Sequence, residues 1–223
     1  MSSLALALDG STYSASIALL RDGKLIAESV VGSESEGGGR GEALVPMIAQ
    51  LLKANGVRAD QITEVICGAG PGSFTSLRVA ASVGKGIAVA TGAKMYAVSS
   101  PLLTVSAQHS LKDGKYLSVL PAMRGEVFAI PVTVKDGVPA ASAPHHTILG
   151  DDAIARAAED IGARVVGPGR DIDASPHARG VAPLYDAIIS GGAIDLDTWE
   201  PDYGRLAEAQ VKWEAAHGRP LTA

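Results

Sequence analysis

One order of predicted elements runs twice along this chain of 223 residues. Three strands come first, and the Asp22-Gly23 pair joins the second strand to the third as a tight hairpin turn. A helix, a strand, a helix and a strand follow, which gives the order β-β-β-α-β-α-β. The first run occupies strands at 4–9, 13–21 and 24–31, a helix at 42–54, a strand at 63–67, a helix at 74–91 and a strand at 94–98.

The second run is a weaker copy that begins after a helix opened by Ser100-Pro101. Its elements are strands at 116–120, 127–134 and 140–148, a helix at 151–160, a strand at 163–166 and a helix at 181–190. The Asp136-Gly137 pair turns the chain between the second and third of these strands. Because three antiparallel strands followed by αβα units occur twice, we predict an α/β chain with two lobes of the actin-like, RNase H-like architecture. The predicted lobes are residues 1–105 and 106–200. Residues 201–223 add a helix at 205–216 that packs back on the lobes.

A glycine-rich turn, Gly68 to Thr75, joins a predicted strand to the long helix at 74–91. It lacks both the Lys-Ser/Thr pair of a P-loop and the G-x-G-x-x-G spacing of a dinucleotide fingerprint. Its glycines permit an unusual backbone, Pro71 fixes one φ, and Ser73 can cap the helix. Two interpretations stay open, an anion site at a shaped helix start or a turn built for geometry alone, and the spacing favours geometry.

Small residues recur every fourth position along the helix at 74–91, on two adjacent stripes. One stripe is Ala80, Gly84 and Ala88, and the other is Ser82, Gly86 and Ala90. Glycine inside a helix costs about 1 kcal/mol relative to alanine, so a close approach of another backbone is the expected compensation. The helix either lies tightly on its own sheet with both stripes, or turns one of them toward another protein, which the doubled pattern favours.

The turn Asp9-Gly10-Ser11-Thr12 ends the first predicted strand, where actin-like ATPases hold phosphate and, through the acid, magnesium. The same four residues also make an ordinary turn. The corresponding turn of the second copy, Pro121 to Gly125, has no carboxylate, which argues against competent ATP hydrolysis. The candidate residues of a vestigial phosphate site are Asp9, Ser11, Thr12, Gly70, Gly72 and Ser73.

Composition excludes several classes of protein. A formal net charge of -5 argues against a broad basic face that grips nucleic acid. The single cysteine, Cys67, excludes an internal disulfide and fits a reducing compartment, and the first residues do not form a signal peptide, so we expect a cytoplasmic protein. The five histidines include no i, i+4 pair and the chain has no G-x-S-x-G elbow, so neither a metal centre nor a nucleophile is predicted.

With these residues assembled, the chain resembles the TsaB (YeaZ) family, bacterial partner proteins in the biosynthesis of threonylcarbamoyladenosine in tRNA. The resemblance is dense up to residue 100 and thin after it. It rests on Leu8 to Thr12, Glu42 to Ile48, Gly70 to Arg78, Lys85 to Ala88 and Val98 to Ser100, with weaker matches at Arg124 to Phe128, Pro201 to Arg205 and Glu208-Ala209.

The resemblance implies a catalytically inactive relative of the ligase subunit TsaD, which transfers threonylcarbamoyl to adenosine 37 of tRNAs that read codons beginning with A. It implies pairing with TsaD through the first two helices, docking of the ATPase TsaE on that pair, tRNA contact only through the complex, and a homodimer when the chain is alone. No cofactor is expected in the isolated chain, and a nucleotide at the partner interface stays open. The expected interface residues are Met47, Leu51, Arg78, Ala80, Ser82, Gly84, Lys85 and Ala88.

The chain departs from the family pattern in three places. Arg40-Gly41-Glu42 replaces a His-Ser-Glu, Pro121-Ala122-Met123 replaces an Asp-Ala-Arg, and Ser76 replaces a glycine. The segment Gly38 to Pro46 also lacks the H-x-x-x-H metal ligands of TsaD, which agrees with a scaffold role. Two other hypotheses stay open, a small-molecule kinase or ATPase of the actin-like fold and, disfavoured by the absence of a histidine pair, a metallopeptidase.

Overall fold

Two mixed β-sheets, one in each half of the chain, organise the fold. A computed structural model describes residues 2–12, 14–30, 43–109, 111–143, 145–205 and 216–218. The first sheet has the order β3-β2-β1-β4-β5, with β1 antiparallel to β2 and parallel to β4. Its strands are β1 (Leu4–Asp9), β2 (Ser16–Arg21), β3 (Lys24–Val30), β4 (Glu64–Gly68) and β5 (Lys94–Val98).

Tight Asp-Gly turns close the hairpins of both lobes, as the sequence predicts. Asp22 and Gly23 have φ values of 48° and 74°, and Asp136 and Gly137 have φ values of 52° and 74°. Two successive residues at positive φ match the right-handed twist of paired strands, which is why this dipeptide recurs at such turns. The hairpin predictions at these two places are confirmed.

Two helices cover one face of the first sheet. They are α1 (Leu44–Ala54) and α2 (Phe74–Thr91). They pack on the leucines that β1 directs to this face, Leu4, Leu6 and Leu8. The predicted helix start at Glu42 lies outside the described residues, as does Arg40-Gly41-Glu42.

The opposite face of β1 carries Ala5 and Ala7, and these small side chains let α3 (Ser100–Ser106) pack close to the sheet. The helix α3 also packs against the second sheet through Val105, so it links the two lobes. Alternation of leucine and alanine along β1 therefore determines which helices can approach each face.

The second sheet has the order β11-β10-β6-β7-β8, and β9 also pairs with β7. Its strands are β6 (Gly114–Pro121), β7 (Glu126–Lys135), β8 (Val138–Ala141), β9 (Thr147–Gly150), β10 (Arg164–Gly167) and β11 (Ile172–Asp173). The predicted third strand at 140–148 is thus two short strands, both paired with β7. The helix α4 (Ile154–Ile161) covers one face of this sheet.

The chain returns to the first lobe after the second sheet. A 3-10 helix at Ala178–Leu184 and α5 (Tyr185–Ser190) pack on the alanine face of the first sheet. The predicted lobe boundary, which assigns 106–200 to the second lobe, is corrected here because the apolar side chains of 178–190 bury against the first sheet. The predicted helix at 205–216 lies almost wholly outside the described residues.

A segment at 194–205 then runs along the edge of the first sheet. The backbone amide of Ile194 donates to the carbonyl of Met95 on β5, 2.8 Å away, and that of Asp202 donates to Ala69 at the same distance. Among the helices of the described residues, none combines the length and the apolar character needed to cross a membrane.

Candidate functional site

The carboxyl group of Asp9 is buried and fully engaged by its neighbours. The backbone amide of Ser11 and its hydroxyl donate to Oδ1 at 3.0 and 2.7 Å, and the hydroxyl of Ser100 donates to Oδ2 at 2.6 Å. Only 1% of the residue is exposed. Burial raises the pKa of this carboxyl, and the hydrogen bonds from Ser100 and Ser11 partly oppose that shift. Asp9 therefore acts as a buried acceptor within the fold.

The glycine-rich turn packs directly on the Asp9 turn. The amide of Ser73 donates to the carbonyl of Ser11 at 2.7 Å, and the amide of Gly70 donates to the hydroxyl of Ser100 at 3.1 Å. Thr12 donates its hydroxyl to the carbonyl of Ser14 at 3.0 Å. The residues predicted as a phosphate site are thus brought together, but the polar groups described here bind one another.

Close backbone approach explains the glycines of this turn. A Cβ on Gly68 would collide with the Asp9 carboxyl, and one on Gly72 would collide with the backbone of Ser11. Gly70 has a φ of 83°, and a Cβ there would meet the carbonyl of Asp202. These contacts favour the geometric interpretation of the turn over the anion site.

The matching turn of the second lobe has no acid and an unusual backbone. Met123, Arg124 and Gly125 are three successive residues at positive φ, and Met123 is 76% exposed. The next residue, Glu126, forms an ion pair with Arg205. Its carboxylate is therefore engaged with the C-terminal segment.

The residues that the structure describes do not favour a metal site or a reactive cysteine. No group of three or more His, Cys, Asp or Glu side chains there could hold a metal ion. The thiol of Cys67 is buried, and burial followed by the charge of Asp9 raises its pKa above the ordinary value. A thiol held in its neutral form is a weak nucleophile.

The two small-residue stripes of α2 lie on opposite faces. Ala80, Gly84 and Ala88 are buried against the chain's own sheet, where a Cβ on Gly84 would lie 3.1 Å from Cε of Met95. Leu51 of α1 is also buried in this core. The prediction of these four as partner-contact residues is corrected, because their side chains contact the chain's own core.

The second stripe lies on the surface. Ser82, Gly86 and Ala90 are exposed, and a Cβ on Gly86 would meet no atom within 4 Å. Two large apolar side chains on these helices are also exposed, Val89 of α2 at 72% and Val45 of α1 at 56%. We call Val45, Ala49, Ser82, Gly86, Val89 and Ala90 the outer face of α1 and α2.

The other expected interface residues are not part of the outer face as defined, although none of them is fully buried. Met47 is half-buried, and Arg78 is exposed with its guanidinium 5.3 Å from the ring centroid of Phe74. Lys85 is half-buried, and its Nζ lies 5.8 Å from the ring centroid of Trp199. Sequence reasoning missed Val45 and Val89, although the stripe at Ser82, Gly86 and Ala90 was the signal that points to them.

Comparisons with known proteins agree with this architecture. Residues 40–162 match the family model TsaD, described as tRNA N6-adenosine threonylcarbamoyltransferase. The chain is 27% identical over 226 aligned residues to the tRNA threonylcarbamoyladenosine biosynthesis protein TsaB of Bacillus subtilis. This alignment covers 93% of this chain and 96% of that protein. It is 30% identical over 125 residues to the TsaB protein of Escherichia coli, covering 55% and 52% of the two.

Structural comparison gives the same fold over nearly the whole chain. YeaZ from Pseudomonas aeruginosa superposes with a TM-score of 0.75 at 24% sequence identity, covering 90% of this chain and 99% of that one. The chain therefore has the predicted two-lobe actin-like fold, with one mixed sheet in each lobe. With more than half of its length matched by the family model, the chain belongs to the family described as TsaD: tRNA N6-adenosine threonylcarbamoyltransferase, and the curated relatives to which it is similar are TsaB proteins of tRNA threonylcarbamoyladenosine biosynthesis.

Proposed function

We propose that this chain is a non-catalytic subunit in the biosynthesis of threonylcarbamoyladenosine in tRNA, and that it pairs with TsaD through the outer face of α1 and α2. The observation that carries the proposal is the exposed stripe at Ser82, Gly86 and Ala90, beside the exposed Val89. A glycine in an exposed helix position costs about 1 kcal/mol, which a close-packed partner helix would offset. Exposed apolar side chains around small residues suit the same kind of partner.

A non-catalytic role is supported by the state of the candidate nucleotide site. The Asp9 carboxyl is buried and accepts three hydrogen bonds, and the turn at Pro121 to Gly125 offers no second acid. Metal-dependent phosphoryl transfer needs acids and amides that face the nucleotide. An actin-like kinase or ATPase is therefore the weaker candidate for this chain.

The rest of the assembly follows from the same proposal. TsaE docks on the pair, the isolated chain forms a homodimer through the same outer face, and tRNA is contacted only through the complex. A net charge of -5 supports the last point, because a chain of this charge attracts a polyanion poorly. Any nucleotide then binds where the partner completes a site, with no cofactor held by the isolated chain.

A bulky charge on the outer face tests the proposed interface. Gly86→Arg should leave the thermal unfolding midpoint of the monomeric chain, measured at a protein concentration too low for dimers, within a few degrees of the wild type, because no atom of the chain lies within 4 Å of a Cβ at this position. Pairing with the TsaD protein of the same organism, measured by sedimentation velocity, should weaken by about 100-fold or more, since a buried unpaired charge costs several kcal/mol. Formation of threonylcarbamoyladenosine by the reconstituted proteins should fall with it.

Ala187→Arg is the matched control. Ala187 is an exposed small residue within the helix α5, which packs on the opposite face of the sheet. This variant should pair with TsaD like the wild type. Normal pairing by Gly86→Arg would overturn the proposed interface.

A further inference from the structure

A five-residue segment, Pro201 to Arg205, contacts both lobes at once, and we call it the latch. On the first lobe, the amide of Asp202 donates to the carbonyl of Ala69 at 2.8 Å. The ring of Tyr203 lies against Phe74, the first residue of α2, with ring centroids 4.6 Å apart. The latch therefore touches the glycine-rich turn and the start of α2 together.

The same five residues also bind the second lobe. A carboxylate oxygen of Asp202 lies 3.2 Å from Nδ1 of His146, and Nε2 of that ring lies 3.4 Å from the carbonyl of Gly204. Arg205 forms an ion pair with Glu126 at the start of β7. The latch thus contacts each lobe through more than one kind of interaction, and it connects the two lobes.

Gly204 is the residue of the latch with little space for a side chain. Its φ is 72°, a left-handed conformation that favours glycine. A Cβ there would collide with the ring of Phe128 in the second lobe and would lie 2.9 Å from Cβ of Pro71 in the first. No other residue type fits between these two side chains without displacing the latch.

The space beside the latch is open. A cavity of about 540 Å³ lies between the lobes. Its wall includes Gly70, Pro71, Ile130, His146 and Asp202. Among the described residues, the lobes do not contact each other across this cavity. The contacts of the latch are therefore a larger share of the interactions by which the second lobe holds the glycine-rich turn.

We propose that the latch is a positioning device through which the second lobe holds the glycine-rich turn and the first turn of α2 in shape. It thereby sets how Phe74 and Arg78 are presented beside the outer face, and this last step rests on the proposed function. The second lobe, which carries no residue of the outer face, gains a role in partner binding by this route. Tyr203 is the residue through which the latch reaches α2.

Hydrogen exchange in the isolated chain tests the device without any partner. Gly204→Ala should speed amide exchange in residues 69–78 by about tenfold or more, because a left-handed alanine alone disfavours the closed latch by roughly that factor. Gly169→Ala is the matched control, since Gly169 also has a positive φ, 67°, but a Cβ there would meet nothing within 4 Å. It should leave exchange in 69–78 unchanged.

Tyr203→Ala provides a second route if Gly204→Ala does not fold. It keeps the backbone of the latch and removes only the ring that lies against Phe74 at an interplanar angle of 50°. Exchange in residues 74–78 should then rise roughly three- to tenfold, the range expected for one lost aromatic pair. Unchanged exchange in 69–78 in every folded latch variant would overturn the proposal.

Pairing with TsaD separates this proposal from the proposed function. Gly204→Ala should weaken pairing by about tenfold or more, together with faster exchange in 69–78, whereas Gly86→Arg should weaken pairing by about 100-fold or more with unchanged exchange there. If Gly86→Arg pairs normally while Gly204→Ala speeds exchange, the interface assignment fails and the latch stands. If Gly204→Ala speeds exchange but pairs as tightly as the wild type, the link from the latch to the partner is wrong.

Discussion

At the scale of single residues, polar groups that suggest a ligand site serve the fold instead. Asp9 accepts hydrogen bonds from Ser11 and Ser100, and Ser100 in turn accepts one from Gly70. One carboxyl therefore connects the ends of β1 and β4 with the start of α3. An unpaired buried polar group would be costly, and this network satisfies every partner named in it.

Asp9→Asn should change how stability depends on pH. Because the pKa of Asp9 is raised in the folded chain, the unfolded chain loses this proton first as pH rises past the ordinary value of 3.8. The free energy of unfolding of the wild type should then fall relative to Asp9→Asn by up to about 1.4 kcal/mol per pH unit, until the folded-state pKa is passed. Urea unfolding at several pH values between 4 and 7 measures this difference.

Asp22→Asn is the control for that experiment. Hydrogen bonds from Ser2 and Ser3 lower the pKa of Asp22, which is opposite in sign to the shift at Asp9. Between pH 4 and 7 the difference between the wild type and Asp22→Asn should therefore stay nearly constant, because the wild type loses stability only as pH falls through the ordinary value of 3.8 toward that lowered pKa. A flat difference between the wild type and Asp9→Asn would contradict the burial of an ionisable Asp9.

Gly72→Ala should destabilise the chain because its Cβ would collide with the backbone of Ser11. We expect a loss of about 1–3 kcal/mol in the free energy of unfolding, the range for overpacking a tight contact. Gly86→Ala is its control, and it should stabilise the chain by about 1 kcal/mol because the position is open and helical. Equal stability of the two variants in urea unfolding would argue against close packing of the two turns.

At the scale of elements, α2 shows what periodicity alone can and cannot predict. The spacing of small residues gave two stripes, and both exist as faces of the helix. Which stripe faces the sheet depends on Leu8, Val65 and Met95, which come from three separate strands. That choice is a long-range contact, so the sequence pattern cannot decide it, and the expected interface residues include Ala80, Gly84 and Ala88 of the buried stripe as well as Ser82 of the exposed one.

Gly84→Leu and Gly86→Leu should separate the two faces of α2 by stability. A side chain at position 84 would press on Met95 and Val65, so the free energy of unfolding should fall by about 1–3 kcal/mol. Leucine at position 86 meets nothing and should raise it by several tenths of a kcal/mol. Thermal unfolding of both variants measures this difference. If Gly84→Leu is as stable as the wild type, the stripe that contains Gly84 does not pack against the sheet.

At the scale of the whole molecule, local signals predicted the order of elements well and the lobe boundary poorly. Asp-Gly turns and strand-length apolar runs are local, and the strands of the first sheet and the helices α1 and α2 form close to where they indicate. The return of residues 178–190 to the first sheet rests on apolar contacts with strands far away in sequence. No turn or composition change announces such a return, and the same holds for the latch.

The isolated chain should not bind ATP with magnesium at millimolar concentrations. The amides of Ser11, Gly70 and Ser73 are engaged within the protein, and the Asp9 carboxyl is buried. Binding would have to break these hydrogen bonds, each worth about 1 kcal/mol net. Calorimetry gives the answer, and a saturable signal that depends on magnesium would revive the kinase or ATPase hypothesis.

We propose that this chain acts in threonylcarbamoyladenosine formation by pairing with TsaD through the outer face of α1 and α2. The most direct measurement is the formation of the modified nucleoside in vitro by TsaD, TsaE and tRNA, with wild-type chain, Gly86→Arg, Ala187→Arg or no chain added. We expect activity with the wild type and Ala187→Arg, and background activity with Gly86→Arg or no chain. Full activity with Gly86→Arg would exclude pairing through the outer face, and full activity without the chain would exclude a role for it in this reaction.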